Sequence, residues 1–212
     1  AFGLTEPGAG SDAGATKTTA VLDGNEWVIN GGKIFTTNAG VAGLLIATAV
    51  VMNNNEKNGI GAFIINTDNP GLTIGPPEKK MGWKASDTRQ LFFEDLRIPK
   101  DNLLGNPTDG FKTFLQALTG GRISIAALSA GTAEGAYISA LKYSTEREAF
   151  GKPIHKYQSV GFKLSQMATE IEASKLLVYQ AAHKYDLGKS VIKEAAMAKL
   201  FASETAMRTT TE

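Results

Sequence analysis

The feature that most constrains this chain is how unevenly it places its helix breakers. Residues 1–106 hold 15 of the 23 glycines and five of the seven prolines, and residues 107–212 hold the other eight and two. Gly and Pro at that density interrupt helices, and a stretch poor in both can sustain them. The expected class is α+β, with short strands first and long helices after. The composition changes near Pro99–Gly110, which sets domains at 1–106 and 107–212.

At 212 residues the chain can bury roughly 70% of its unfolded surface, enough for one or two ordinary cores. Its 42% hydrophobic content argues against disorder. Lys and Arg total 22 against 21 Asp and Glu, so the net charge of +1 gives no footprint for nucleic acid or a polyacidic partner. The longest apolar run, Val41–Met52, has 12 residues and is short of the ~20 that span a bilayer. The absence of cysteine excludes disulfides, thiolate zinc, iron–sulfur clusters and thiol catalysis. Only His155 and His183 offer imidazoles, too far apart in sequence to suggest a metal site. Ala1 opens on an apolar stretch and Glu212 falls within a helical pattern, so an interior piece of a longer polypeptide is expected.

In the first half, Thr18–Leu22 and Glu26–Asn30 flank Asp23-Gly24-Asn25 as a hairpin, and Gly31-Gly32 is expected to turn the chain into a strand at Lys33–Thr37. Further strands are expected at Leu44–Met52, Gly61–Asn66, Gln90–Glu94 and Leu96–Ile98. Short strands with regular turn signals suggest an antiparallel barrel or sandwich. In the second half, helical spacing predicts helices over Phe111–Glu148, from Pro153 or Ile154 to Leu187, and over Val191–Glu212. These form a partial up-down bundle, with a fourth helix expected elsewhere.

Four constellations can carry chemistry. Leu4-Thr5-Glu6-Pro7-Gly8-Ala9-Gly10-Ser11-Asp12 combines close backbone approach with hydroxyls, although its residues also suit an ordinary Gly/Pro turn. It is neither a phosphate-binding Gly-Lys loop nor a dinucleotide fingerprint, because a strand follows it. Gly32–Asn38 sets Phe35 beside Thr36 and Thr37, which suits a planar ring ligand or a strand with one core Phe. Gly120-Gly121-Arg122 puts two glycines inside a helix at about 1 kcal/mol each, which implies close approach by a helix or a ligand. Glu146–Pro153 is a helix stop in which Arg147 and Phe150 could clamp a diphosphate or a ring.

Taken in order, TEPGAGSD at 5–12, NGGKIFTTNAG at 30–40, MGWKASDT at 81–88, FFEDLRIPKDNLLG at 92–105, GFK at 110–112, GGR at 120–122 and EREAFGKPI through Tyr157-Gln158 resemble the acyl-CoA dehydrogenases. The short-chain, butyryl-CoA enzymes are nearest in wording. The resemblance covers essentially the whole chain. It implies a middle β-domain followed by three of the four helices of a C-terminal bundle.

The resemblance also implies roles. Phe2, Leu4, Thr5, Gly10 and Ser11 would contact FAD at the ring edge and diphosphate side, and Ser11 would also meet the substrate's thioester arm. Phe35 would pack on the flavin, Thr37 would offer its hydroxyl near the flavin N5, and Thr36 would also contact the cofactor. Arg147, Phe150, Tyr157 and Gln158 would reach the FAD of a neighbouring subunit in a homo-oligomer, a dimer of dimers. Arg122 would hold part of the CoA, and Thr119 stands where many members carry an acidic residue. Gly121 stands where some members carry the catalytic Glu, so none of the 212 residues is expected to be the base, which should lie past Glu212. The implied reaction is α,β-desaturation of an acyl-CoA, with electrons passing to an electron-transferring flavoprotein. The implied location is the bacterial cytoplasm, in preference to a mitochondrial matrix. An acyl-CoA oxidase, a flavin monooxygenase and a non-catalytic module binding acyl-CoA or FAD are the alternatives.

Overall fold

The computed structural model describes residues 1–54 and 56–212. It divides into two compact units, Ala1–Phe114 and Leu115–Glu212.

The first unit is built on one seven-stranded sheet. Its strands are β1 (Phe2–Gly3), β2 (Thr19–Asp23), β3 (Glu26–Thr37), β4 (Leu44–Asn53), β5 (Glu56–Asn66), β6 (Leu72–Pro77) and β7 (Thr88–Pro99). The sheet is mixed, because β1 and β2 both run parallel to β4 while the other pairs are antiparallel. β4 carries the long apolar run, and Leu45, Ala47, Ala49, Val50 and Val51 are all buried. A strand covered on both faces has no need of alternation. Around it pack Trp27, Ile29, Phe63, Ile65, Leu91 and Phe93, with the Trp27 ring edge-on to Phe63 at 5.3 Å.

Two expectations about these strands change. Gly31-Gly32 does not turn the chain, and β3 runs unbroken from Glu26 to Thr37. Gly31 sits at φ 136, and a Cβ there would meet the Thr18 Cα at 2.7 Å, so the glycine serves a close strand crossing rather than a reversal. The two short strands expected at 90–98 are one strand, β7, with a bulge at Glu94-Asp95 that shifts register between Gly31↔Phe93 and Ile29↔Leu96. The bulge flips the alternation, so Leu91, Phe93, Leu96 and Ile98 are all buried although their parity changes. Asn30 closes it by accepting the Asp95 N–H at 2.8 Å and donating to the Asp95 carboxylate at 3.0 Å. The strands β1 and β6 were not anticipated.

Helix α1 (Gly110–Glu146) begins in the first unit, where a Cβ on Gly110 would come within 2.3 Å of the Gly61 carbonyl carbon. Only a glycine lets that helix start lie on β5. The second unit comprises the rest of α1 with α2 (Gln158–Asp186) and α3 (Ile192–Thr211). The expected break at Gly151-Lys152-Pro153 is a small hairpin of β8 (Glu148–Ala149) and β9 (Lys152–Pro153), followed by a single 3-10 turn at Ile154–Lys156. This delays the start of α2 to Gln158. The helices meet through small side chains, with Ala126, Ala130, Ala181, Ala198 and Ala202 buried around Val178. No helix among the described residues is long and apolar enough to cross a membrane.

Candidate functional site

In the first unit two of the sequence motifs become neighbours. Pro7-Gly8 forms a tight turn closed by reciprocal 3.1 Å backbone bonds between Glu6 and Ala9. The turn residues thus do what an ordinary Gly/Pro turn does, and they also set Thr5 beside β3. The Ile34 N–H donates to the Thr5 carbonyl at 2.8 Å. This bond ties the Leu4–Ser11 loop to the segment that carries Phe35, Thr36 and Thr37.

That segment is irregular. Between Lys33↔Leu91 and Thr36↔Arg89, β3 uses one residue more than β7. The extra residue is accommodated by Phe35 at φ 56, a left-handed conformation costly for an aromatic residue. Phe35 is 60% exposed, so burial does not hold it there. Thr36 is buried and its hydroxyl has no hydrogen-bond partner, whereas Thr37 is exposed. Asn38 also has positive φ, at 60°, and the chain past it is fastened by Asp87. The Asp87 carbonyl accepts the Asn38 N–H at 2.8 Å, and its carboxylate accepts the Gly40 N–H at 2.8 Å and Arg89 at 2.8 Å. The Gly40 N–H, and after it Arg89, hold the Asp87 carboxyl below its ordinary range. An exposed ring on a strained backbone and an unpartnered buried hydroxyl are features that a bound planar, polar-edged ring would use.

The other first-unit candidates divide. Gly10 and Ser11 are exposed, and a Cβ on Gly10 would meet nothing within 4 Å. The Leu4 carbonyl accepts a hydrogen bond from Lys33 Nζ at 3.2 Å. Phe2 stacks on Phe114 with ring centroids 4.1 Å apart, so this ring already has a partner within the unit.

In the second unit, Phe150 and Gly151 form the hairpin tip with φ 50 and 79. Phe150 is 97% exposed, and its ring meets Tyr157 edge-on at 6.3 Å. Tyr157 is anchored by its hydroxyl, which donates to the Ala149 carbonyl at 2.6 Å, and Lys152 Nζ lies 4.4 Å from its ring centroid. Arg147 and Gln158 are exposed on either side of the hairpin segment. The hairpin thus brings Phe150 and Tyr157 together, with Arg147 and Gln158 at its two ends. On α1, the Thr119 hydroxyl donates back to the Leu115 carbonyl at 3.1 Å, and Arg122 is half-buried. A Cβ on Gly120 would touch the Tyr185 hydroxyl at an ordinary 3.5 Å, and one on Gly121 would touch nothing within 4 Å. Packing within this unit therefore does not require either glycine.

Sequence reasoning passed over Glu6 and Lys33. Lys33 is fully buried, and its ammonium donates to Glu6 Oε1 at 2.7 Å, to the hydroxyls of Thr16 and Thr48 at 3.1 Å each, and to Leu4. Glu6 also accepts the Lys17 N–H at 2.7 Å, the Thr18 N–H at 3.1 Å and the Thr16 hydroxyl. Burial alone would push the Glu6 carboxyl up. The donated hydrogen bonds, led by Lys33, outweigh it and hold the carboxyl at about 2. Strand parity was the available signal, because Trp27, Ile29 and Lys33 fall at odd positions on the inward face of β3. A lysine at an inward position requires a buried carboxylate.

Residues 1–96 match the acyl-CoA dehydrogenase middle domain, and residues 108–212 match the acyl-CoA dehydrogenase C-terminal domain. This chain belongs to the acyl-CoA dehydrogenase family. A probable acyl-CoA dehydrogenase of Bacillus subtilis is 53% identical over 98% of this chain and 55% of its own length. The butyryl-CoA dehydrogenase structure from Megasphaera elsdenii superposes with a TM-score of 0.95 at 46% identity, covering 99% of this chain and 55% of the other. A chain in a structure of the electron transferring flavoprotein of Acidaminococcus fermentans superposes with a TM-score of 0.94 at 49% identity, over 99% and 55% of the two chains. This acyl-CoA dehydrogenase chain spans about half the length of the curated relatives it matches.

Proposed function

We propose that this chain forms the middle β-domain, residues 1–106, and part of the C-terminal bundle, residues 107–212, of an FAD-dependent short-chain acyl-CoA dehydrogenase. The observation that carries this reading is the Thr5–Ile34 bond, which sets the Leu4–Ser11 loop beside the exposed Phe35 and the unpartnered Thr36 hydroxyl. The likeness to butyryl-CoA dehydrogenase supports the choice of substrate class.

FAD, when bound, supplies the two-electron acceptor for desaturation of the acyl chain at Cα–Cβ. The chain's own residues would position it. Phe35 offers a ring face, already fixed outward by the bulge, for packing against a planar group. Thr36 and Thr37 offer hydroxyls to polar ring atoms, and Leu4, Thr5, Gly10 and Ser11 offer backbone and a hydroxyl along the adjoining edge. Ser11, Thr119 and Arg122 would hold parts of the acyl-CoA, with Arg122 supplying positive charge for phosphate. Phe2 would act on the cofactor through the Phe2–Phe114 stack that shapes the start of this loop.

Arg147, Phe150, Tyr157 and Gln158 would serve the cofactor of a second copy. The hairpin tip presents Phe150 almost wholly uncovered, which fits insertion into a partner and a dimer-of-dimers assembly. Gly121 has no side chain that could take a proton, so the carboxylate base would come from outside residues 1–212. These residues alone would therefore show no turnover. The electrons would leave for an electron-transferring flavoprotein, in the cytoplasm of a bacterium or a mitochondrial matrix.

The test is an anaerobic visible spectrum of a polypeptide of the relatives' full length that contains this chain, titrated with butyryl-CoA. The reading expects a yellow protein whose flavin band bleaches. A yellow protein that does not bleach would overturn the short-chain assignment. A colourless protein that FAD cannot reconstitute would overturn the cofactor.

A further inference from the structure

The buried ion pair at the base of the candidate site serves no reaction step described above. It is larger than packing needs: one ammonium and one carboxylate, both hidden, make six further hydrogen bonds to five residues and so tie together four separate segments. Those segments are the Leu4–Glu6 loop, the Thr16–Thr18 stretch leading into β2, β3 through Lys33 itself, and β4 through Thr48. A buried ion pair is weak evidence for added stability, because desolvation offsets most of its attraction. Its better-attested value is in fixing one arrangement among alternatives.

Its place in the chain indicates which arrangement it fixes. Lys33 is the last residue of β3 in regular register before the bulge, and the next two residues are Ile34, bonded to Thr5, and Phe35. Glu6 follows Thr5 directly and closes the Pro7-Gly8 turn. The pair therefore joins the two halves of the candidate flavin surface from beneath, next to the single backbone bond that joins them from the side. Without it the Thr5–Ile34 backbone hydrogen bond would be left to join the loop to the bulged strand, Phe35 at φ 56 would not be held by burial, and the loop would keep only the small buried side chain of Ala9.

We propose that Glu6 and Lys33, with Thr16 and Thr48, are positioning residues that set the Leu4–Ser11 loop against Phe35 and so govern flavin affinity. The proposal rests on the cofactor reading above. It assigns a ligand-tuning role to side chains that cannot themselves touch the ligand, since they are buried beneath the surface.

The experiment uses the full-length holoprotein and its apoprotein, with FAD as the probe. Lys33→Met removes the ammonium at nearly constant shape, Glu6→Gln keeps the acceptor shape without charge, and Thr48→Val deletes one acceptor. Ile98→Ala is the control: Ile98 is buried opposite Trp27 at the far end of β3, so it weakens the same core away from the loop. Melting temperature is measured for each, and the FAD dissociation constant is measured at one temperature below all of the melting transitions.

Lys33→Met is expected to raise the dissociation constant about tenfold or more, the scale of one well-placed hydrogen bond to a ligand, with a smaller rise for Glu6→Gln and Thr48→Val. Ile98→Ala is expected to lower the melting temperature and leave the constant unchanged. If all four variants lose stability alike with flavin affinity unaltered, the pair is merely structural and the proposal is wrong. Where Lys33→Met does not fold, an unchanged constant in both Glu6→Gln and Thr48→Val overturns it equally. A wild-type protein that binds no FAD would show the failure of the cofactor reading itself, before any variant is compared.

Discussion

In the first unit the fully hidden side chains include Phe63, Phe93, Ile29, Leu45, Ile65 and Leu96, whereas the wholly buried apolar residues of the second are alanines such as Ala126, Ala133, Ala195, Ala198 and Ala202. Leu164, Met167 and Ile171 are buried beside Ala133, but most of the second unit's large apolar side chains lie outside. Leu176 is 61% exposed, Leu200 64% and Met207 64%. A sheet alternates its faces, so one register places every bulky residue inward. A helix must choose one stripe, and here the stripes that meet are built of alanine and allow close axes, leaving the leucines on other faces. The first unit is therefore stabilised by the volume of its side chains, and the second in larger part by close approach of backbones along its alanine seams.

A paired substitution tests that contrast most severely. Phe63→Ala removes a wholly buried ring that Trp27 contacts edge-on, and should cost about 3–5 kcal/mol in urea unfolding. In the second unit the damaging change runs the other way. Ala202→Leu adds bulk where the side chain is wholly buried and should cost about 1–3 kcal/mol. Equal tolerance of both substitutions would show that the two cores do not differ in kind.

The contrast also explains what could be read from the sequence. The order of strands before helices, and each of the three helices, followed from Gly and Pro placement and from periodicity. The interruptions were misread because their signals are ambiguous. Gly31-Gly32 has the composition of a turn, yet a Cβ-free crossing over Thr18 demands the same residue. The bulge at Asp95 resembled a gap because it reverses the parity on which strand recognition depends. The candidate surface was legible only as separate motifs. That Thr5 and Ile34 lie side by side is a matter of long-range pairing, and that Phe2 has Phe114 as a partner depends on a contact between residues far apart in sequence.

The buried charge beneath the candidate surface supplies a second test. The Glu6 carboxyl lies at about 2 in the folded chain against an ordinary 4.5, so the folded state holds fewer protons than the unfolded one between those values. The stabilisation is complete above 4.5 and is lost as the pH falls toward 2. At neutral pH it amounts to roughly 3 kcal/mol at most. Urea unfolding of Glu6→Gln between pH 7 and pH 2 should therefore show a flatter acid limb than the parent, with the two curves converging near pH 2. Parallel curves would mean that Glu6 is not the group that titrates. The second unit has acid-labile carboxylates of its own nearer the surface: Gln166 and Arg208 hold Glu170 below its ordinary range, and Lys184 does the same for Glu194, so Glu6→Gln removes only the part of the acid limb that comes from the first unit.

The smallest effect is expected where the second unit exposes its bulk. Leu200→Ser removes a side chain that lies on the outer face of α3, beside Leu177, Met197 and Phe201. In residues 1–212 alone it should change unfolding free energy by about 0.5 kcal/mol or less, as exposed sites do. In a polypeptide of the relatives' full length the same substitution is informative for a different reason. A cost there of about 2–3 kcal/mol would mean that the face is covered, because burying a leucine is worth that much only against a partner. An unchanged, small cost in both would leave this unit with the alanine seams and the Leu164–Met167–Ile171 cluster as its packing and make the contrast between the two cores intrinsic to them. The two measurements differ only in the length of the chain, so the difference between them isolates what the rest of the polypeptide contributes to that face.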